Sequence, residues 1–148
     1  MKVAIYPGTF DPFTVGHDAI VRRALQLVDI LYVGVGINKD KRCMLSSDER
    51  ISRIAALYKN EPRIHVVGYE GLTTDFAQSI GAHFIIRGVR NTIDFEYERN
   101  IADVNRMLTG IETVLLISEA EYASISSSMV RELAHFGKDI TKYLPNEE

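Results

Sequence analysis

The chain has 148 residues and a single cysteine, Cys43. One thiol makes neither an internal disulfide nor a thiolate cluster for a metal, so a reducing compartment is expected. Long apolar runs are also missing. No stretch reaches the roughly 18 residues of a membrane span, and after Lys2 the first apolar run stops within a few residues at Pro7, with no leader pattern. Nor is there an excess of positive charge. With 17 basic and 20 acidic residues the formal net charge is −3, which gives no ground for general nucleic-acid binding. A cytoplasmic protein with no membrane or nucleic-acid partner is the expectation. Apolar residues at 46% and charged residues at 25% fit one ordinary globular domain over 1–148.

Several signatures are absent as well. There is no G-x-x-x-x-G-K-[ST], which excludes a P-loop. No G-x-G-x-x-G follows the first strand, and Gly34-Val35-Gly36 is only a fragment of one inside a later strand. No serine elbow and no Cys/His zinc spacing occurs. His65, His83 and His135 stand singly and receive no site role.

What is present alternates. Apolar runs at 3–6, 30–35, 64–67, 84–86 and 114–117 read as strands. Helical spacing fills 16–28, with Ile20, Ala24 and Leu27 or Val28 on one face. Ser46 and Glu49 offer a capping box for a helix carrying Ile51, Ile54, Ala55 and Tyr58. Further helices are predicted at 72–80, stopped by Gly81, at 93–108 through Ile93, Tyr97, Ile101, Val104 and Leu108, and around 129–134, closed near Gly137. Strictly alternating apolar strands and helices predict a Rossmann-like, doubly wound parallel sheet of five strands with helices on both faces. Ligands of such sheets bind beyond the carboxyl ends of the strands.

Those ends carry related chemistry. Gly8-Thr9-Phe10 and Thr14-Val15-Gly16-His17 follow the first strand, and Asn38-Lys39-Asp40-Lys41-Arg42 follows the second. Arg87-Gly88-Val89-Arg90 follows the fourth, and residues 122–128, ending Ile125-Ser126-Ser127-Ser128, follow the fifth. Hydroxyls, cations and helix starts on one edge suit a polyphosphate. Each feature has a structural reading too: the serines as a cap, the arginines as solvated charge, His17 as a cap or a packed ring. Asp94, Glu96 and Glu98 read as a solvated helix face, with Glu98 within reach of a nucleotide.

Thr14-Val15-Gly16-His17 is similar to the T/H-x-G-H signature of the nucleotidyltransferase superfamily. With "YPGTFDPFTVGH", "RGVRNTIDFEYE" and "ISSSMVRE", nearly the whole chain resembles the bacterial phosphopantetheine adenylyltransferases. The resemblance implies transfer of AMP from ATP to 4′-phosphopantetheine, giving dephospho-coenzyme A and pyrophosphate. It implies Mg²⁺, a homohexamer and feedback by coenzyme A. It places Thr9, His17 and Lys41 at the reaction, and Thr9, Lys41, Thr73 and Arg87 at phosphopantetheine. On the ATP side it places Thr9, Phe10, His17, Gly88, Val89, Arg90, Glu98, Tyr122, Ala123, Ser124, Ile125, Ser126, Ser127 and Ser128. Cys43 stands where the family usually has proline, which implies a less rigid loop; the role of Asp11 is left open between holding the turn and touching a substrate. The alternatives are a sister enzyme acting on nicotinate mononucleotide or a small phospho-alcohol, and a non-catalytic nucleotide sensor.

Overall fold

Strand β1 (Val3–Gly8) is longer than its apolar run, because Pro7 and Gly8 stay in register with Gly34 and Val35 of β2 (Ile30–Gly36). The computed structural model describes residues 1–146. Strands β3 (Ile64–Tyr69), β4 (Phe84–Val89) and β5 (Glu112–Ile117) complete a sheet of order β3-β2-β1-β4-β5. Every pairing is parallel. Helices α1 (Val15–Ala24), α2 (Ser47–Leu57), α3 (Thr73–Ser79), α4 (Thr92–Thr109) and α5 (Ser127–His135) connect or follow the strands, with short 3₁₀ turns at Ala120–Tyr122 and Thr141–Tyr143. The doubly wound sheet is as expected.

Alternation in the strands divides the core. Ala4 and Tyr6 face one side with Leu31, Val33 and Val35, under Ile20, Val21 and Ala24 of α1 and Ile54 of α2. Ile5 and Ile85 face the other, against Ala77 and Phe76 of α3, and α3 in turn packs on α4.

Three elements depart from the sequence reading. Helix α1 ends at Ala24, where the N–H groups of Gln26 and Leu27 turn back to Arg23 and Ala24 in tight i→i−3 bonds. Val28 is still buried, but outside the helix, two residues before β2, while Leu27 is exposed. In α2, Ala55 is exposed and the buried positions are Ile54 and Arg50; Ser46 caps the Glu49 N–H, but the Glu49 side chain does not return the bond that the expected capping box needs. In α4 the apolar stripe faces outward. Ile93 is 78% exposed and Tyr97, Val104 and Leu108 are 65%, 49% and 62% exposed, while the one buried residue is Glu98. Periodicity alone cannot say whether a stripe meets its own core or another surface.

Candidate active site

Strand order reverses at β1, with β2 on one side and β4 on the other. The β1–β4 ladder is short: it pairs Ala4 with Phe84 and Ile5 with Ile85, and then the strands part. Pro7 suits the parting. In a strand the N and C=O of one residue point to the same side, and Pro7 has no N–H to leave unpaired there. Its carbonyl accepts a hydrogen bond from Nη1 of Arg87 on β4 at 2.5 Å. Arg87 also forms a fork with Glu98 of α4, Nε to Oε2 at 2.8 Å and Nη2 to Oε1 at 2.7 Å. Burial works against the Arg87 charge, and the bonds and charge of Glu98 more than offset it, so its pKa is raised. Beyond this bridge opens a cavity of about 370 Å³.

His17 lies on its wall, at the third position of α1. Thr14 is the cap, and its hydroxyl accepts from the His17 N–H at 3.4 Å. The ring returns the bond: Nδ1 accepts from the Thr14 N–H at 2.9 Å. This is a capping box in which histidine takes the place usually held by Glu or Gln. Since Nδ1 accepts, the proton of the neutral ring sits on Nε2, the nitrogen free to serve the cavity. Burial, with the Arg87 and Arg90 charges, pushes the His17 pKa down to about 3. The ring is held edge-on to Phe10 at 5.1 Å and stacked on Phe13 at 5.3 Å. Phe10 has a positive φ of 53°, and its ring lies over Gly8, where a Cβ would come within 2.8 Å of it. Glycine at 8 is therefore required by close approach.

Asp11 is buried and accepts from two successive backbone N–H groups of the 38–45 loop, Met44 at 2.7 Å and Leu45 at 2.9 Å. That loop carries Lys41 to the cavity. Cys43 is half-buried and free, and the two residues after it are held by the bonds to Asp11. On the other side, the Asp11 carbonyl accepts from Arg131 Nη1 and the Pro12 carbonyl from the Ser127 hydroxyl. Residues 11 and 12 thus tie the Lys41 loop to the start of α5.

The structure brings together Thr9, Phe10, His17, Lys41, Arg87, Gly88, Arg90, Glu98, Tyr122, Ile125, Ser126, Ser127 and Ser128 around one cavity. Thr73 lies outside it, on an adjoining groove of about 430 Å³ that shares Thr9, Arg87 and Glu98 with it. Val89, Ala123 and Ser124 do not line the cavity: Val89 is in the core and Ser124 faces outward. Glu98 is a correction, since its carboxylate is buried and occupied by Arg87 rather than lying on a solvated face. The serine hydroxyls have structural partners: Ser126 caps the Met129 N–H, Ser127 holds Pro12, and Ser128 accepts from Arg131. What α5 turns toward a ligand is its uncapped N–H groups at Ser127 and Ser128. Arg90 is paired with Asp94 at 2.9 Å. Sequence reasoning missed Arg131, one helical turn after Ser127 and so on the same face, and left Asp11 open.

A family model described as cytidylyltransferase-like matches residues 5–133. A phosphopantetheine adenylyltransferase of Phocaeicola vulgatus is 52% identical over 98% of this chain and 96% of its own length. One of Bacteroides thetaiotaomicron is 51% identical over the same shares. The chain belongs to the phosphopantetheine adenylyltransferase family. The fold is shared more widely: a bifunctional NMN adenylyltransferase/ADP ribose pyrophosphatase from Francisella tularensis superposes with a TM-score of 0.74 at 12% identity. That match covers 99% of this chain and 46% of the other, so the chain spans about half of that protein.

Two outcomes follow from the turn that this family member builds around His17. The folded ring resists protonation, with a pKa of about 3 against 6.5 for a free ring. Its contribution to stability is therefore complete above pH 6.5 and is lost as pH falls from 6.5 toward 3. Urea titrations should show wild type losing stability faster than His17→Asn between pH 6.5 and about 5, where carboxylates still titrate little; parallel losses would contradict the neutral ring. Asp11→Ala should lower amide-exchange protection at Met44 and Leu45 by about tenfold or more, and unchanged protection would contradict the anchor.

Proposed function

We propose that the protein transfers AMP from MgATP to 4′-phosphopantetheine, releasing pyrophosphate and forming dephospho-coenzyme A. The names of the relatives support the substrates. The observation that carries the chemistry is the neutral His17, committed through Nδ1 to Thr14 and left with an Nε2–H donor at a cavity faced by two helix starts. A phosphate monoester oxygen is already a nucleophile, so in-line attack at the α-phosphorus needs positioning and charge stabilisation rather than a covalent enzyme adduct. His17 donates to the α-phosphate oxygen where charge grows. Open N–H groups of α1 and α5, with Arg90, hold the nucleotide phosphates. Thr9 and Lys41 orient the attacking phosphate, and Arg87, fixed by Glu98, supplies a stationary charge beside it.

The groove carrying Thr73 supports the rest of the acceptor. Leu72, Ile101 and Leu108 give it apolar wall and Asn105 gives it an amide, which suits an arm of alternating methylenes and amides. Mg²⁺ enters on the nucleotide: nearby carboxylates are engaged by Arg87, Arg90 or backbone N–H groups. Among the described residues no group of three or more His, Cys, Asp or Glu is placed to hold a metal. The outward stripe of α4 supports association with further copies, and the family resemblance supports six. Coenzyme A contains the same arm, which supports feedback at this groove. Among the described residues no helix is long and apolar enough to cross a membrane, and a cytoplasmic location is part of the proposal.

Pyrophosphate release with MgATP should require 4′-phosphopantetheine and not respond to nicotinate mononucleotide; the reverse would overturn the assignment. His17→Ala should lower kcat by about 10²-fold with little change in ATP affinity, and near-normal turnover would remove its role. Lys41→Ala should impair use of phosphopantetheine more than ATP binding by calorimetry.

A further inference from the structure

Behind the turn that holds His17 lies a second cavity, of about 280 Å³, which the proposed reaction does not use. Its walls include Phe10, Phe13, Ile54 and Leu57, and residues 144–145 border it. Two arginines also line it, Arg50 and Arg53, and no acidic residue does. Arg50 is only 4% exposed. Its Nη1 donates to the carbonyls of Thr9 at 2.7 Å and Gly36 at 3.1 Å, but its Nε is buried with no acceptor. Among the described residues neither Arg50 nor Arg53 forms an ion pair. A buried guanidinium bonded only to neutral carbonyls, with an idle N–H, keeps most of its desolvation cost uncompensated. An apolar hollow bordered by two unpaired cations is complementary to one kind of small molecule: an apolar body ending in a carboxylate.

We propose that this cavity binds a small apolar carboxylate, and that its occupancy acts on the adjoining active site. The path is short. Phe10 belongs to both cavities and packs edge-on against the His17 ring. Arg50 holds the Thr9 carbonyl, so a shift of its guanidinium toward a bound carboxylate moves the backbone beside the proposed phosphate site. The binding half stands on the cavity alone; the coupling half rests on the nucleotide reading above.

Octanoate is the probe. Calorimetry on the full chain should show octanoate binding at least about tenfold more tightly than octanol, the difference expected from one charge-assisted contact. Arg53→Glu changes an exposed residue outside the catalytic machinery and should weaken octanoate by about tenfold or more while leaving turnover without octanoate unchanged. Equal affinity for octanoate and octanol, no binding of either, or octanoate affinity untouched by Arg53→Glu would each overturn the site. Saturating octanoate should change the affinity for a non-hydrolysable ATP analogue by about twofold or more, with octanoate affinity changed reciprocally by the analogue. Unchanged affinities would overturn the coupling. Octanoate binding without any nucleotide binding would contradict the proposed function and the coupling, and leave the site standing.

Discussion

The hydrogen bond from the Thr14 N–H to Nδ1 of His17 sets the rest of the site. It does two jobs with one imidazole. Nδ1 completes the cap of α1, and Nε2 is thereby made the protonated nitrogen, on a ring that lines the cavity. A cap and a reacting group are usually competing explanations for a polar residue at a helix start. Here the cap is what fixes the tautomer. Low polarity and two arginines then keep the ring neutral, as a hydrogen-bond donor rather than a cation. A neutral donor stabilises charge that develops on an oxygen without an unpaired positive charge in the empty site.

The surrounding structure can be read as support for that bond. Among the described residues five polar or charged ones are buried, namely Asp11, Thr14, Arg50, Thr74 and Glu98. None of them is a stray core residue. Asp11 and Thr14 hold the turn, Glu98 holds Arg87, Arg50 holds the Thr9 carbonyl, and Thr74 borders the groove beside the cavity. A buried polar group is costly unless bonded, so their gathering at the carboxyl ends of β1, β2 and β4 marks where burial serves the site rather than the core. Phe10 and Gly8 add a steric version of the same constraint, since the ring that backs His17 occupies the space a side chain at position 8 would need.

Much of this was legible in the residues. Apolar runs and helical spacing were enough for five alternating units, and the chemistry after four of the five strands pointed to the edge where the cavity lies. The motif stretches located His17, Lys41, Arg87 and the start of α5. What escaped depends on contacts between distant segments. Pro7 reads as a strand breaker, yet it continues β1 because its missing N–H falls where β4 has drawn away. Glu98 looks like surface charge until Arg87, 11 residues earlier on β4, is seen bonded to it. Asp11 acts on residues 33 and 34 positions along. In α4, a stripe that scans as core is solvent-facing in the single chain. Periodicity reports that a face is apolar and not what covers it.

A pH titration of the His17 imidazole by ¹⁵N NMR, in the free protein and with an ATP analogue bound, reads the Thr14–His17 bond directly. The ring should be protonated at Nε2 and unprotonated at Nδ1, neutral from pH 7 down to about 5 in both states. A doubly protonated ring in that range, or a proton on Nδ1, would contradict that bond.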